Sequence, residues 1–528
     1  MHSIVNSKFK NQNAVGSPKA RGGVANDNAK FKILFKNYWP VLSLIVLAVT
    51  ARFLFLGLRP FDGDEGIIIK IAQSDSLKDL WAAVGNDVHP PLFHFLEYLL
   101  LGKFALSEIS ARFVPAVAGA LTPLFVYLLF KKLISSKIAL GVAVLTLFSA
   151  TLSYQAAEAR PYALLTLIFV AQLYFLLQTL TQRRWGQTVI FAFLTLLLVL
   201  TQYIGFIVIF GEGLYLLLRR RSALGATNIG AVVAALGLFA LLWGERFIHQ
   251  LAGRAGEQSQ ALNLKDNLIG LTNAFYRFGA GRLFLDLDPS ISYNLDFLKG
   301  TPWLFLFFLL TIFIPLALIV RGTIVSYRVN RETFWLVVIL AAPLVLAALA
   351  SSEVGPRATR YLSFLAPFYY YFIAMGFLGV KNRIFWPLAI TFGIIFAGVF
   401  AHSIYFERRK AGANEIARYL NQAAQPNNAV VIRGGFGGGE KLILRYYLGK
   451  TKDKFNLYDL YEDYQVGNLM SIKSRQPIAE VTRLKQDQTV WFYDLTYENS
   501  DWCVEKSPCE AVKLGKDKEN KELVLYKF

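Results

Sequence analysis

The chain has 528 residues, of which 55% are hydrophobic and only 17% charged, and its mean hydropathy is +0.41. A single soluble domain of this size would not carry so large an apolar fraction, so composition argues against that class and puts a membrane protein first. The formal charge of +19 does not indicate a nucleic-acid partner, because the Lys and Arg residues lie mostly in short loops between apolar blocks and not along one amphipathic face.

Residues 1–36 are basic and lack an apolar run, which predicts a disordered cytoplasmic tail. The first apolar run, 38–58, is long enough to stay in the bilayer as an anchor, so no cleavable signal peptide is required. Apolar blocks of suitable length predict about eleven spans, at 38–58, 113–130, 138–154, 162–181, 186–201, 203–218, 228–247, 302–320, 333–350, 362–380 and 384–404. With the basic tail inside, the cytoplasmic loops are 131–137, Arg183 with Arg184, 219–221, 321–331 and 381–383, and all of them are basic, as the positive-inside rule requires.

The apolar run 92–106 breaks this alternation if it is counted as a span, so it is read as a helix lying on the outer surface. Residues 405–528 then also lie outside. They are polar and mix helical runs with β-like ones at 429–433, 489–493 and 523–526, which predicts a small extracytoplasmic α/β domain. Residues 37–404 form the transmembrane catalytic domain in this reading. The chain's two cysteines, Cys503 and Cys509, fall in the C-terminal region; a disulfide and a pair of free thiols both remain open.

The charged residues of interest crowd the outward loops. The first holds Arg59-Pro60-Phe61-Asp62-Gly63-Asp64-Glu65, followed by His89-Pro90-Pro91-Leu92. Carboxylates just outside a span need water, a cation or a task, although such residues can also merely keep a loop on its side. The proline pair sets the entry to the surface helix and places His89 at its start. Glu158-Ala159-Arg160-Pro161-Tyr162 opens the fourth span from the same face, so Arg160 can meet a phosphate. Arg357, Arg360 and Tyr361 stand at the entrance of the tenth span; snorkelling to headgroups is the competing reading for each arginine. Arg52 and Glu212 lie within predicted spans, the first near enough to the outer end to snorkel and the second in need of a partner.

The ordered set Asp64-Glu65, His89-Pro90-Pro91-Leu92, Ala111-Arg112-Phe113-Val114-Pro115-Ala116, Tyr154-Gln155 and Glu158-Ala159-Arg160-Pro161-Tyr162 resembles the protein O-mannosyltransferase-related enzymes of glycosyltransferase families 39 and 83, with lipid A aminoarabinose transferases among their relatives. Thr201-Gln202-Tyr203 and Arg360-Tyr361-Leu362 resemble later landmarks, so the likeness extends over most of 38–404. It implies a superfamily C (GT-C) fold, an all-α polytopic bundle with juxtamembrane helices in the first outer loop, and a polyprenyl-phosphate-sugar donor. The family's catalytic Asp falls on Asp64. His89 occupies a position where some relatives have Lys. Several relatives bind a divalent metal beside the acidic pair, so such a cation is left open here.

An inverting transfer follows from this. Asp64 takes the proton of an acceptor hydroxyl as that oxygen attacks the anomeric carbon of a hexose or pentose, while Arg160 and Arg360, with Arg357 or a metal, hold the departing phosphate. Glu65 is an alternative base or a metal ligand, and His89 a metal ligand or a phosphate donor. Tyr162, Tyr203 and Tyr361 are expected to contact substrate. Glu245 and His249, at the end of the seventh span, are candidates to join the cluster, against an ordinary interfacial role for His249. The long stretch 248–300, with Tyr276, Arg282, Asp286, Asp288 and Tyr293, could close over the donor. The glycine-rich run 433–440 lacks the Gly-Lys-Ser/Thr ending of a nucleotide loop and reads as a flexible turn.

The expected partners are a polyprenyl-phosphate sugar, a lipid, glycan or protein acceptor and membrane lipids. The expected place is the cytoplasmic (inner) membrane of a bacterial envelope, with the site facing outward. The rival function is a transporter or flippase for a lipid-linked sugar, which repeated halves and midplane charges would favour. No internal repeat is evident.

Overall fold

The computed structural model describes residues 25–54, 56–182, 184–219, 226–257, 264–281, 302–351, 358–405, 412–425, 428–433, 439–449, 456–459, 489–494, 510–516 and 522–527. Its contacts divide the chain into one unit at 1–43 and another at Leu44–Phe528. The described part of the first unit is the beginning of α1 (Ala25–Phe53). Residues 25–36, expected to be disordered, are therefore helical. Helix propagation is cheap once an adjoining apolar stretch has nucleated it.

In the second unit, α2 (Gly63–Ala72), α3 (Leu77–Gly85), α4 (Leu92–Leu101) and the short α5 (Glu108–Ala111) fill the first predicted outer loop. At 1.5 Å rise per residue α4 is about 15 Å long, half of a hydrocarbon core, so it is too short to span and agrees with a surface position. Next come α6 (Phe113–Leu133), α7 (Ser136–Leu147), α8 (Ala150–Gln155), α9 (Tyr162–Gln182), α10 (Trp185–Thr201), α11 (Gly205–Arg219), α12 (Ala226–Glu257) and α13 (Leu264–Ala280). The second half holds α14 (Pro302–Val329), α15 (Arg331–Ala350), α16 (Ala358–Tyr361), α17 (Ala366–Phe377) and α18 (Asn382–Tyr405).

Among the described residues six helices are long and apolar enough to cross a membrane, within α6, α9, α12, α14, α15 and α18. Two other predicted spans are interrupted. The 138–154 segment breaks at Ser149, whose hydroxyl accepts from Leu152 N and caps α8. The 362–380 segment opens with a 3-10 turn, Ser363–Leu365, before α17. Large side chains such as Leu241, Leu346 and Ile394 project outward from long helices, the arrangement expected where lipid and not water is the neighbour. The chain is a multi-pass membrane protein.

Helix α6 packs on α7 and α9, α9 on α10, α10 on α12, α11 on α15 and α14 on α17. The α14–α17 crossing depends on two glycines. A Cβ at Gly322 would overlap the Phe372 carbonyl, and one at Gly376 would overlap that of Leu318, so the two backbones meet directly, as small residues allow in membrane helices.

Beyond α18 lie α19 (Ala413–Ala423), β1 (Ala429–Arg433), α20 (Gly439–Leu448), β2 (Asn456–Asp459), β3 (Val490–Asp494), β4 (Glu510–Lys516) and β5 (Glu522–Lys527). The sheet order is β2-β1-β3-β5-β4. β1 runs parallel to β2 and β3, whereas β5 runs antiparallel to β3 and β4. The β-like runs at 429–433, 489–493 and 523–526 fall on β1, β3 and β5. Ile416, Leu420, Val430, Leu444, Leu448 and Trp491 bury one another where α19 and α20 cover the strands. Cys503, Cys509 and most of the glycine-rich run lie outside the described residues.

Candidate functional site

The site begins with a helix cap. Asp62 precedes α2 in extended backbone, its Oδ1 accepts from Glu65 N at 3.0 Å, and Glu65 Oε2 accepts from Asp62 N at 3.1 Å. This reciprocal box satisfies donors at the helix start and fixes the two carboxylates that follow on different sides. Asp64 and Glu65 share the first helical turn, where the peptide dipoles favour negative charge.

Glu65 points inward and is fully buried. Arg112 holds it with two parallel bonds, Nε to Oε1 and Nη2 to Oε2, both at 2.8 Å. Arg59 Nη2 reaches Oε2 at 3.1 Å, and Ala159 N donates to Oε1 at 2.8 Å. Arg112 also donates to the carbonyls of Leu56, Arg59 and Pro60. Burial opposes the Glu65 charge, but Arg112 and Arg59 outweigh it and hold the carboxyl below its ordinary range. Glu65 thus joins the Asp64 loop, the start of α6 and the 156–161 turn.

Asp64 has the opposite surroundings. Its side chain is 37% exposed, and Oδ2 meets Arg160 Nη1 and, at 3.1 Å, Arg360 Nη1. Arg160 comes from the turn before α9 and Arg360 from α16, so elements far apart in the chain converge on one carboxylate. The Arg160 guanidinium lies over the Tyr162 ring at 5.6 Å, and Tyr162 meets Tyr361 edge to face at 6.1 Å. Burial works against the charge on Arg160, yet Asp64 and its acidic neighbours raise its pKa; for Arg360, burial and Arg160 oppose the charge and Asp64 again overrides them. Both arginines stay cationic.

Next to this cluster, Tyr154, Gln155, Glu158, Arg277 and Thr359 join Arg360 in lining a cleft. Arg59 faces Glu158 at 3.5 Å and stacks over Tyr154 at 4.9 Å.

The other candidates are placed differently. His89 Nδ1 and His94 Nε2 approach Asp87 Oδ2 at 3.0 and 3.3 Å. Burial, then Arg160 and His94, lower the His89 pKa against the pull of Asp87, so a neutral imidazole donating to Asp87 fits the geometry. Tyr203 is tied to α12. Its hydroxyl bonds to Gln250 and accepts from Trp243 Nε1 at 2.9 Å, while Gln250 Nε2 donates to the Val84 and His89 carbonyls. Tyr203 thereby supports the His89 turn from beneath. Glu245 and His249 are exposed on α12, and Tyr276 lies on α13. Arg357, Arg282, Asp286, Asp288 and Tyr293 lie outside the described residues.

Arg52, expected to snorkel, instead donates to Ser153 Oγ and the Leu147 carbonyl at 2.8 Å each, and so ties α1 to the α7–α8 break. Glu212 finds Gln172 Nε2 at 2.8 Å.

The donor set does not fit a divalent cation. Among the described residues no group of three or more His, Cys, Asp or Glu is arranged to hold one. Each Glu65 oxygen, proposed from sequence as a ligand, already accepts two or more N–H groups.

Arg59, Arg112, Glu158 and Arg277 carry much of the geometry, and the sequence reading gave them no role. Arg112 was visible only as part of the Ala111–Ala116 motif; its bond to Glu65 spans 47 positions, beyond any local pattern.

An apolar helical bundle whose first predicted outer loop folds into short helices, with a carboxylate gripped by arginines, defines a multi-pass membrane protein with a charged site. Residues 88–243 match the family of dolichyl-phosphate-mannose-protein mannosyltransferases. The oligosaccharyltransferase of Archaeoglobus fulgidus in its apo form is similar in fold, at a TM-score of 0.50 with 14% identity over 87% of this chain and 70% of that one. ArnT of Cupriavidus metallidurans bound to undecaprenyl phosphate aligns at a TM-score of 0.45 with 15% identity, covering 93% of this chain and 98% of its own. No curated protein matches the chain in sequence. The chain shares the fold of the Archaeoglobus fulgidus oligosaccharyltransferase.

Proposed function

We propose that this chain is an inverting glycosyltransferase that moves one sugar from a polyprenyl-phosphate carrier to an acceptor hydroxyl at the outer face of the cytoplasmic membrane, with Asp64 as base. One observation carries the reading: a half-exposed carboxylate at a helix start is gripped by Arg160 and Arg360 beside a cleft. ArnT of Cupriavidus metallidurans is known bound to undecaprenyl phosphate, and AglB of Archaeoglobus fulgidus in complex with an inhibitory peptide and a dolichol-phosphate. Both suit a lipid-phosphate carrier here. The basic loops on the opposite side support the outward assignment of the site.

The chemistry follows from charge. A guanidinium has five N–H donors in a fixed fork, so Arg160 and Arg360 can bind a phosphate as well as Asp64. When the donor arrives, its phosphate competes for them and Asp64 becomes a stronger proton acceptor. The acceptor oxygen then forms its bond to the anomeric carbon as the carbon–phosphate oxygen bond breaks. Asp64 receives the hydroxyl proton, and the arginines stabilise the negative charge on the departing phosphate. Tyr162 and Tyr361 flank the arginines where a sugar ring would pass.

The test uses cells that lack the chain, supplied with wild type or Asp64→Asn, and envelope glycans read by mass spectrometry. Wild type should add the mass of one sugar. Asp64→Asn should lower transfer at least about 100-fold, while the purified variant still binds undecaprenyl phosphate. Full transfer by Asp64→Asn overturns the assignment and favours carriage of a lipid-linked sugar.

A further inference from the structure

The loop that presents Asp64 is also held from the far end of the chain. Phe61 N donates to the Tyr447 hydroxyl at 2.8 Å, a contact spanning 386 positions. That hydroxyl donates in turn to Glu108 Oε1 at 2.8 Å, and Tyr446 donates to Glu108 Oε2 at 3.0 Å. The Phe61 ring is buried against both tyrosines, with centroids at 5.5 and 6.4 Å, and the Arg112 guanidinium lies over it at 5.1 Å. Ile443, one turn earlier on α20, shares an apolar cluster with Phe61, Ile69 and Ala159.

These contacts meet at one place. Tyr447 takes the last loop donor before the Asp62 cap and anchors it through Glu108 to α5. Each polar atom in the relay has a partner, so its cost of burial is met and its directionality is retained. A base must be held within a fraction of an ångström of its productive position, and an anchor from a second element narrows the positions the loop can take.

We infer that Tyr447 and Glu108, with Tyr446, form a clasp through which the C-terminal segment positions the Asp64 loop, so that α20 is part of the transfer machinery and not an appendage. This rests on the proposed role of Asp64. Tyr447 and Glu108 are positioning residues, since they touch the loop and not the reacting atoms.

The test compares full-length Tyr447→Phe with wild type and Asp64→Asn in lipid nanodiscs and in complemented cells. Tyr447→Phe keeps the ring and loses only the relay. The Phe61 amide should exchange its hydrogen about tenfold faster and sugar transfer should fall about tenfold, with undecaprenyl phosphate binding changed less than about twofold. Glu108→Gln, which still accepts from one tyrosine, should restore most of the transfer that Glu108→Ala loses. Faster Phe61 exchange with undiminished transfer overturns the clasp, as does unchanged exchange. A variant that fails to fold shows itself as lost undecaprenyl phosphate binding; Tyr446→Phe then supplies the same readings through the second phenol. If Asp64→Asn transfers normally, the enzymatic reading itself falls and the clasp with it. If only Asp64→Asn is impaired, the clasp alone falls.

Discussion

Asp64 and Glu65 are neighbours of the same chemical type, yet the fold uses them in opposite ways. Glu65 is buried and saturated by a bidentate arginine, a second arginine and two backbone amides. Asp64 is 37% exposed and meets its arginines at the edge of a cleft. An ion pair completed on every side is structural, because neither partner can change company without stranding a charge. A pair open to solvent can exchange one anion for another, which is what binding a phosphate demands. Their difference separates holding the site from operating it.

Breaking the inner pair should have the largest effect. Glu65→Ala leaves Arg112 buried without its carboxylate and removes one of the three around Arg59, and should destabilise the protein by about 3–5 kcal/mol; thermal unfolding in detergent would read this, and a variant as stable as wild type would erase the contrast. Arg160→Ala should instead spare stability while lowering transfer about 100-fold, through lost stabilisation of the departing phosphate. Arg360→Lys, which keeps charge but loses the planar fork, should cost about tenfold in transfer and mainly raise the KM for donor.

The smallest effect separates the two carboxylates by pH. The folded pKa of Glu65 lies below the ordinary glutamate value, so its stabilisation is present above that value and is lost as pH falls through the folded pKa. Wild type should therefore lose Tm more steeply than Glu65→Gln as pH falls below the ordinary glutamate range, because Glu65→Gln has no such proton to take up. Equal slopes would show that Glu65 does not titrate with folding.

Much of this contrast was legible in the sequence as geography and little of it as roles. Alternating apolar blocks and basic loops put Asp64, Arg160 and Arg360 on one face, and the folded chain brings these three into contact. Local pattern could not tell Asp64 from Glu65, since both follow the same glycine-containing turn; the distinction comes from Arg112 and the Ala159 amide. The predicted span at 138–154 is divided for a related reason. Hydropathy registers the apolar run but not the Ser149 cap that divides it. His89 and Tyr203 were grouped with the acidic pair by motif order; Asp87 and Gln250 are their hydrogen-bond partners, and Arg160 stands near enough to His89 to lower its pKa.

The contact of α14 with α17 through Gly322 and Gly376 has a consequence for how the bundle finds its register. With no side chain between the two helices, there is only one setting at which they can touch. Arg321, adjacent to the first glycine, also bonds the Gly376 and Leu378 carbonyls. Inserting one residue between Pro315 and Gly322 would rotate the following turns by about 100° and drive a bulky side chain into the seam. That crossing would part instead of adapting, so this half of the bundle should tolerate exchanges of lipid-facing residues far better than any change in length.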